Sequence, residues 1–170
     1  MLSKIIKLFK ALNANVNPGE IAHAFSCGLL LGFLPKNNLL WYLIFVFFLF
    51  VRINKPMYLL MTLLGSALAV GLDPLFDMIG YQILTIGFLQ NFYASLLEIP
   101  FVAFTKFNNT VVMGALVFGI VLYVPFYFLG RFFVFAWRKW LTPILNNSRV
   151  FKAIYKLPLI EKIVSLAGGK

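Results

Sequence analysis

The sequence predicts an all-α integral membrane protein, and three observations predict it. Of its 170 residues 62% are hydrophobic and only 12% charged, whereas about a quarter of a soluble domain is charged. Its uncharged runs, residues 21–35, 37–51, 56–72, 78–97 and 107–130, have the lengths of whole or partial membrane helices. The net charge of +10 is confined to the tails. Lys4, Lys7 and Lys10 give the first 17 residues +3, and residues 131–170 carry eight basic residues against Glu161, while residues 18–130 sum to zero. Flanking Lys and Arg are retained on the cytoplasmic side in bacteria and comparable systems, so both termini are expected there, with an even number of full crossings.

The same numbers exclude other classes. Twenty phenylalanines and a mean hydropathy of +0.92 rule out disorder, and Cys27 stands alone, so no internal disulfide forms. The basic residues alternate with Leu, Ile and Phe, which argues against nucleic acid as a partner.

Residues 1–17 read as an amphipathic interfacial helix, with Leu2, Ile5, Ile6, Phe9, Leu12 and Val16 on one face and the lysines opposite. They do not read as a cleavable signal peptide. The membrane domain is placed at 18–140. Asn17 as N-cap, Pro18 and Glu20 mark a strong helix start. The two 15-residue arms that follow are each about 22 Å long as helices, short of a core about 30 Å thick. They meet at Pro35-Lys36-Asn37-Asn38, so 18–52 reads as a re-entrant helical hairpin that returns to its own side at Arg52-Ile53-Asn54-Lys55. Two ordinary short spans are the alternative.

Pro56 starts a helix through Leu72 in a crossing element set at 56–80, with Asp73-Pro74 and Asp77 ending it on the far side. Its Gly65 and Ala69 permit close helix packing, so a partner's transmembrane helix is expected on that face or on the helix of residues 110–130. The segment 81–106 is apolar but broken, and 108–137 is a second crossing helix, kinked at Pro125. Lys106 with Asn108-Asn109 repeats Lys36 with Asn37-Asn38, the Asn pairs lying 71 residues apart. If this is an inverted repeat, both polar tips approach the midplane. Residues 141–170 form a basic tail of two amphipathic helices on the cytoplasmic leaflet.

Motifs for catalysis or for a cofactor are absent. Glu20, His23 and Cys27 share a helical face, yet no second His or Cys exists to complete a metal site, so no metal is assigned. Asp73 and Asp77, at i and i+4, read as a solvated turn. The site candidates are Lys36, Asn37, Asn38, Glu98, Lys106, Asn108 and Asn109. An ionisable group at membrane depth costs about 2.5 to 3.5 kcal/mol and is usually kept for a function. Lys suits a phosphate head group, and Asn amides either donate to phosphate or cap the half-helices.

The run Asn17-Pro18-Gly19-Glu20-Ile21-Ala22, with Gly28-Leu29-Leu30-Leu31-Gly32-Phe33-Leu34-Pro35 and Arg52-Ile53-Asn54-Lys55-Pro56, resembles the bacterial membrane family known as domain of unknown function 2062. Phe107-Asn108-Asn109-Thr110-Val111-Val112-Met113-Gly114 is similar to a short subfamily within it. The resemblance implies a bacterium with an outer membrane and a gene paired with that of a much larger envelope protein; it implies no activity. Lys36-Asn37-Asn38 departs from the glycine-rich loop expected after this proline. The resulting expectation is a component that passes lipid or another amphipathic molecule to or from a larger periplasmic partner. A non-transporting anchor for that partner and a small ion or solute carrier working through Glu98, Asp73 or Asp77 are the rival expectations.

Overall fold

The computed structural model describes residues 17–141, so the expected interfacial helix and the basic tail lie outside the described residues. Within them the chain is helical: α1 (Pro18–Phe33), α2 (Leu39–Phe50), α3 (Lys55–Leu84), a 3-10 turn (Gly87–Leu89), α4 (Gln90–Leu97), α5 (Pro100–Ala103), α6 (Thr110–Val121), α7 (Tyr123–Ala136) and a π-helical turn (Trp137–Leu141).

α1 is the axis of the fold. The Asn17 side chain accepts from Gly19 N–H at 2.9 Å, and Pro18 fixes the first turn. Leu34 ends the helix in extended backbone, as a residue before proline is driven to do. Ile21, Ala22, Ala24 and Leu31 are fully buried, which is possible on so many sides only because small residues admit neighbouring backbones. α3 runs parallel to α1: a Cβ on Gly28 would meet Met61 Cβ at 2.5 Å, and one on Gly32 would meet Gly65 Cα at 2.7 Å. α7 returns antiparallel, with Gly130 against Ala22 and Phe25, while Gly119 of α6 sits against Leu30.

The two ends of segment 18–52 meet. Asn54 N–H donates to Glu20 O at 3.2 Å, and the exposed Arg52 pairs with the Glu20 carboxylate at 3.4 Å. The backbone bond is the firmer tie, since an exposed ion pair contributes about 0 to 1 kcal/mol. α2 itself buries no residue. It leans on Tyr58 through Phe45 and Phe48, and on α1 through Trp41 Nε1, which donates to Leu31 O at 3.1 Å.

One expectation is corrected. The helix begun at Pro56 does not end at Asp73-Pro74 but continues for about three more turns to Leu84. Pro74 forfeits one backbone bond, and the turns beyond it are held by packing: Phe76 is fully buried, and Gly80 crosses Gly114 of α6 so closely that a Cβ on either would collide with the other helix's carbonyl, Thr110 or Phe76. The uncharged run 78–97 is accordingly no span of its own, being divided among α3, the 3-10 turn and α4. The α6–α7 pair bends by 56° at Leu122, one turn before Pro125. Pro125 has no N–H for the Val121 carbonyl, so the break falls where that bond is missing.

α3 is long and apolar enough to cross a bilayer, and the bent pair beginning with α6 would be a second such element if it acts as one. Much apolar surface faces outward, including Phe47 and Phe50 of α2, Leu63 and Val70 of α3, and Phe128 and Phe132 of α7.

Candidate functional site

The two polar breaks come together at the end of the fold opposite the Glu20–Asn54 tie. Leu39 N–H, the first of α2, donates to Phe104 O at 3.0 Å, joining the first break to the backbone just before the second. Asn38 is buried and uses both ends of its amide: Oδ1 accepts from Trp41 N–H at 2.8 Å and Nδ2 donates to Pro35 O at 2.6 Å. Asn109 caps α6 by accepting from Val112 N–H at 3.1 Å but remains exposed. Lys106 takes left-handed backbone, φ 54°, and its carbonyl accepts from Asn109 N–H at 2.9 Å.

Beside the first break lies an open cleft of about 250 Å³. Its walls are the end of α1 with the loop after it (Gly32, Phe33, Leu34, Pro35, Lys36), one stripe of α3 (Ser66, Ala69, Val70, Asp73) and Val111 of α6. The α3 residues fall at i, i+3, i+4 and i+7, a single helical face. One turn further on, Asp77 accepts a hydrogen bond from the Thr110 hydroxyl, so both acids of α3 lie near the breaks.

Of the residues singled out by sequence, Lys36 and Ala69 line the cleft, and Asn37 is exposed on the same loop. Asn38 and Asn109 are helix caps, Lys106 and Asn108 are exposed at the second break, and Glu98 is exposed at the end of α4, outside the cleft lining. Gly65 makes its close contact inside the chain, on Gly32 Cα and the Leu29 carbonyl, so that surface is occupied before any partner arrives.

The sequence leaves Asp73 in a solvated turn and assigns it only to the rival ion or solute carrier, because Pro74 reads as a helix end; the structure places it on the continuing α3 beside the cleft. Ser66 reads only as a small packing residue; its hydroxyl donates to Thr62 O at 2.8 Å.

Glu20, His23 and Cys27 do not gather around one point. Glu20 turns to Arg52, His23 Nδ1 lies 2.8 Å from Tyr123 Oη, and Cys27 is buried with its thiol 3.9 Å from the same hydroxyl. Among the described residues no group of three or more His, Cys, Asp or Glu is placed to hold a metal ion.

Chemically, the cleft offers one cation, one carboxylate and apolar walls, with the Asn38 amide of the adjoining loop engaged in holding its shape. Such a site can receive a small polar group attached to an apolar body.

A family profile described as "Uncharacterized protein conserved in bacteria (DUF2062)" matches residues 6–141. An "Uncharacterized protein" of Treponema pallidum (strain Nichols) is 37% identical over 162 residues, covering 95% of this chain and 100% of the relative. No solved structure matches the chain. A match that takes in the axial helix, the cleft and both polar breaks, with a relative alike along its whole length, makes this chain a member of the DUF2062 family of bacterial proteins.

Proposed function

We propose that the chain is an inner-membrane component of an envelope transport system, passing lipid or another amphipathic molecule to or from a larger periplasmic partner. The observation that carries this reading is the cleft: a charged rim of Lys36 and Asp73 above apolar walls, at the end of a bundle whose exterior is apolar. In this reading α1 and α2 are a re-entrant hairpin, both termini are cytoplasmic, and the Glu20–Asn54 tie sits at the cytoplasmic face. Eighteen residues of α3 separate Lys55 from Asp73, a rise of about 27 Å. On this reading the rise approaches a hydrocarbon core about 30 Å thick, so the hairpin tip and the cleft beside it reach deep toward the periplasmic side. The exposed apolar residues of α2, α3 and α7 support the same surroundings, since a soluble monomer rarely shows contiguous apolar patches beyond a few hundred Å². Because Gly65 is occupied from within, the partner's helix is assigned to the outer face of α6 and α7.

The anchor reading draws on one specific observation, that Asn38 and Asn109 are engaged as caps. The two readings separate in reconstituted vesicles. Lys36→Ala with Asn37→Ala, two exposed residues that cap nothing, is expected to leave folding and partner binding intact while lowering transfer of a labelled phospholipid severalfold. Transfer by this variant equal to that of the native chain would leave the anchor as the better account.

A further inference from the structure

We infer that the cleft takes a zwitterionic head group, a phosphate joined to a primary ammonium, in preference to a purely anionic or a quaternary-ammonium head group. The inference rests on the lipid-passage reading above and names its substrate class. Lys36 and Asp73 line one cleft of about 250 Å³ from separate elements, the α1–α2 loop and α3. Among the described residues the ion pair is Arg52–Glu20, so Lys36 and Asp73 present opposite charges to the same space without being joined to one another. A ligand carrying both signs satisfies both groups at once, each through charge-assisted hydrogen bonds.

The identity of each charge narrows the class. Lys is a mobile point charge that meets phosphate well. Asp73 accepts hydrogen bonds, which an NH₃⁺ group donates and a trimethylated nitrogen cannot. Quaternary ammonium is instead held in cages of aromatic faces. The aromatic residue in this lining is Phe33, itself buried and packed on Phe76, Phe118 and Phe126. Asp73 also repels a head group bearing negative charge alone, so discrimination comes from repulsion as well as attraction. Leu34, Val70 and Val111 supply apolar wall for the start of the lipid body, which favours the membrane-borne head group over the free phosphoester.

The test is lipid retention by the full chain, read by native mass spectrometry from micelles holding phosphatidylethanolamine, phosphatidylcholine and phosphatidylglycerol in equal amounts. The native chain is expected to retain phosphatidylethanolamine about fivefold over each of the others, a difference of about 1 kcal/mol. Asp73→Asn should bring the ratio to phosphatidylglycerol close to one, and Asp73→Glu should restore it. Lys36→Gln, in an exposed loop position that caps no helix, should lower retention of all three and tests the other half of the site if Asp73→Asn fails to fold. Free phosphoethanolamine should compete more weakly than the lipid; equal competition would overturn the lipid part. Phospholipid retained with a ratio that Asp73→Asn does not change would overturn this inference and leave lipid passage standing. Retention of no phospholipid by the native chain would overturn both.

Discussion

The two polar breaks share a Lys and an Asn pair, yet the chain builds them differently. At the first, Asn38 is buried and bonded at both ends of its amide. At the second, Asn109 is exposed and bonded through its oxygen, and Lys106 adopts left-handed backbone. Each break starts a helix of 12 residues, but a helix of 16 residues leads into the first and one of 4 residues into the second. Likeness of sequence thus specifies the helix that follows the Asn pair, because capping acts within three residues. It does not specify the arm that leads in. That arm is interrupted by Gly87 and Pro100 in one case and protected by burial against α3 and α7 in the other. The outcome is a division of labour, with the first break forming the rim of the cleft and the second bracing it through the Phe104–Leu39 bond.

The largest effect that would break this comparison is at the brace. Gly114→Leu puts a side chain into the Phe76 carbonyl, and neither backbone has room to yield. We expect a loss of more than about 3 kcal/mol in detergent unfolding experiments, or no folded protein. Gly71→Ala, with nothing within 4 Å, should leave stability unchanged or raise it. Tolerance of both would mean that the α3–α6 crossing does not hold the second break in place.

The Asn pairs give an intermediate effect that sharpens the contrast. Asn109→Ala removes one exposed cap and should cost about 1 kcal/mol. Asn38→Ala removes a cap and also strips the partly buried Pro35 carbonyl of its partner, so about 2 kcal/mol is expected. Equal losses in thermal unfolding would show that the two breaks are equivalent after all.

The smallest effect concerns the lysines. Lys106→Gly relieves left-handed backbone, which costs an ordinary residue about 1 to 2 kcal/mol, and adds chain entropy worth up to about 1 kcal/mol in the unfolded state. A net gain below about 1 kcal/mol follows. Lys36→Gly has no such strain to relieve and should gain nothing, so a matching gain at both positions would contradict the difference in backbone.

Much of this fold is written locally. Asn17, Asn38, Asn54 and Asn109 each accept from an N–H two or three residues ahead, and each precedes a helix. Readings of this kind need no knowledge of the rest of the chain. The passage of α3 through Pro74 is of another kind. Local rules end a helix there, and the contact that overrides them lies on α6, far along the chain. The place of Asp73 beside the cleft is illegible for the same reason, because its membership of the Ser66, Ala69, Val70 face exists only once the helix continues. The cost of its charge points to Lys36 and small size points to Ala69, and both line the cleft; Glu98, indicated on the same ground as Lys36, lies outside it. An energetic argument about a residue's surroundings selects positions, but only tertiary packing decides which of them share a space.

The burial of α1 on nearly all sides carries a consequence for the order of assembly. Its neighbours are α3 and then α6 and α7, and the His23–Tyr123 contact closes over a separation of 100 residues. The first described helix to be synthesised is therefore among the last to be enclosed, and Gly130 reaches Ala22 only when nearly all of the described chain exists. Such non-local closure slows folding. Ser26, Cys27 and three glycines are accordingly admissible in a helix that its neighbours enclose at the centre of the bundle. A chain ending at Phe104 lacks the α6 and α7 backbones that lie against Leu30, Ala22 and Phe25, so that side of α1 has no cover.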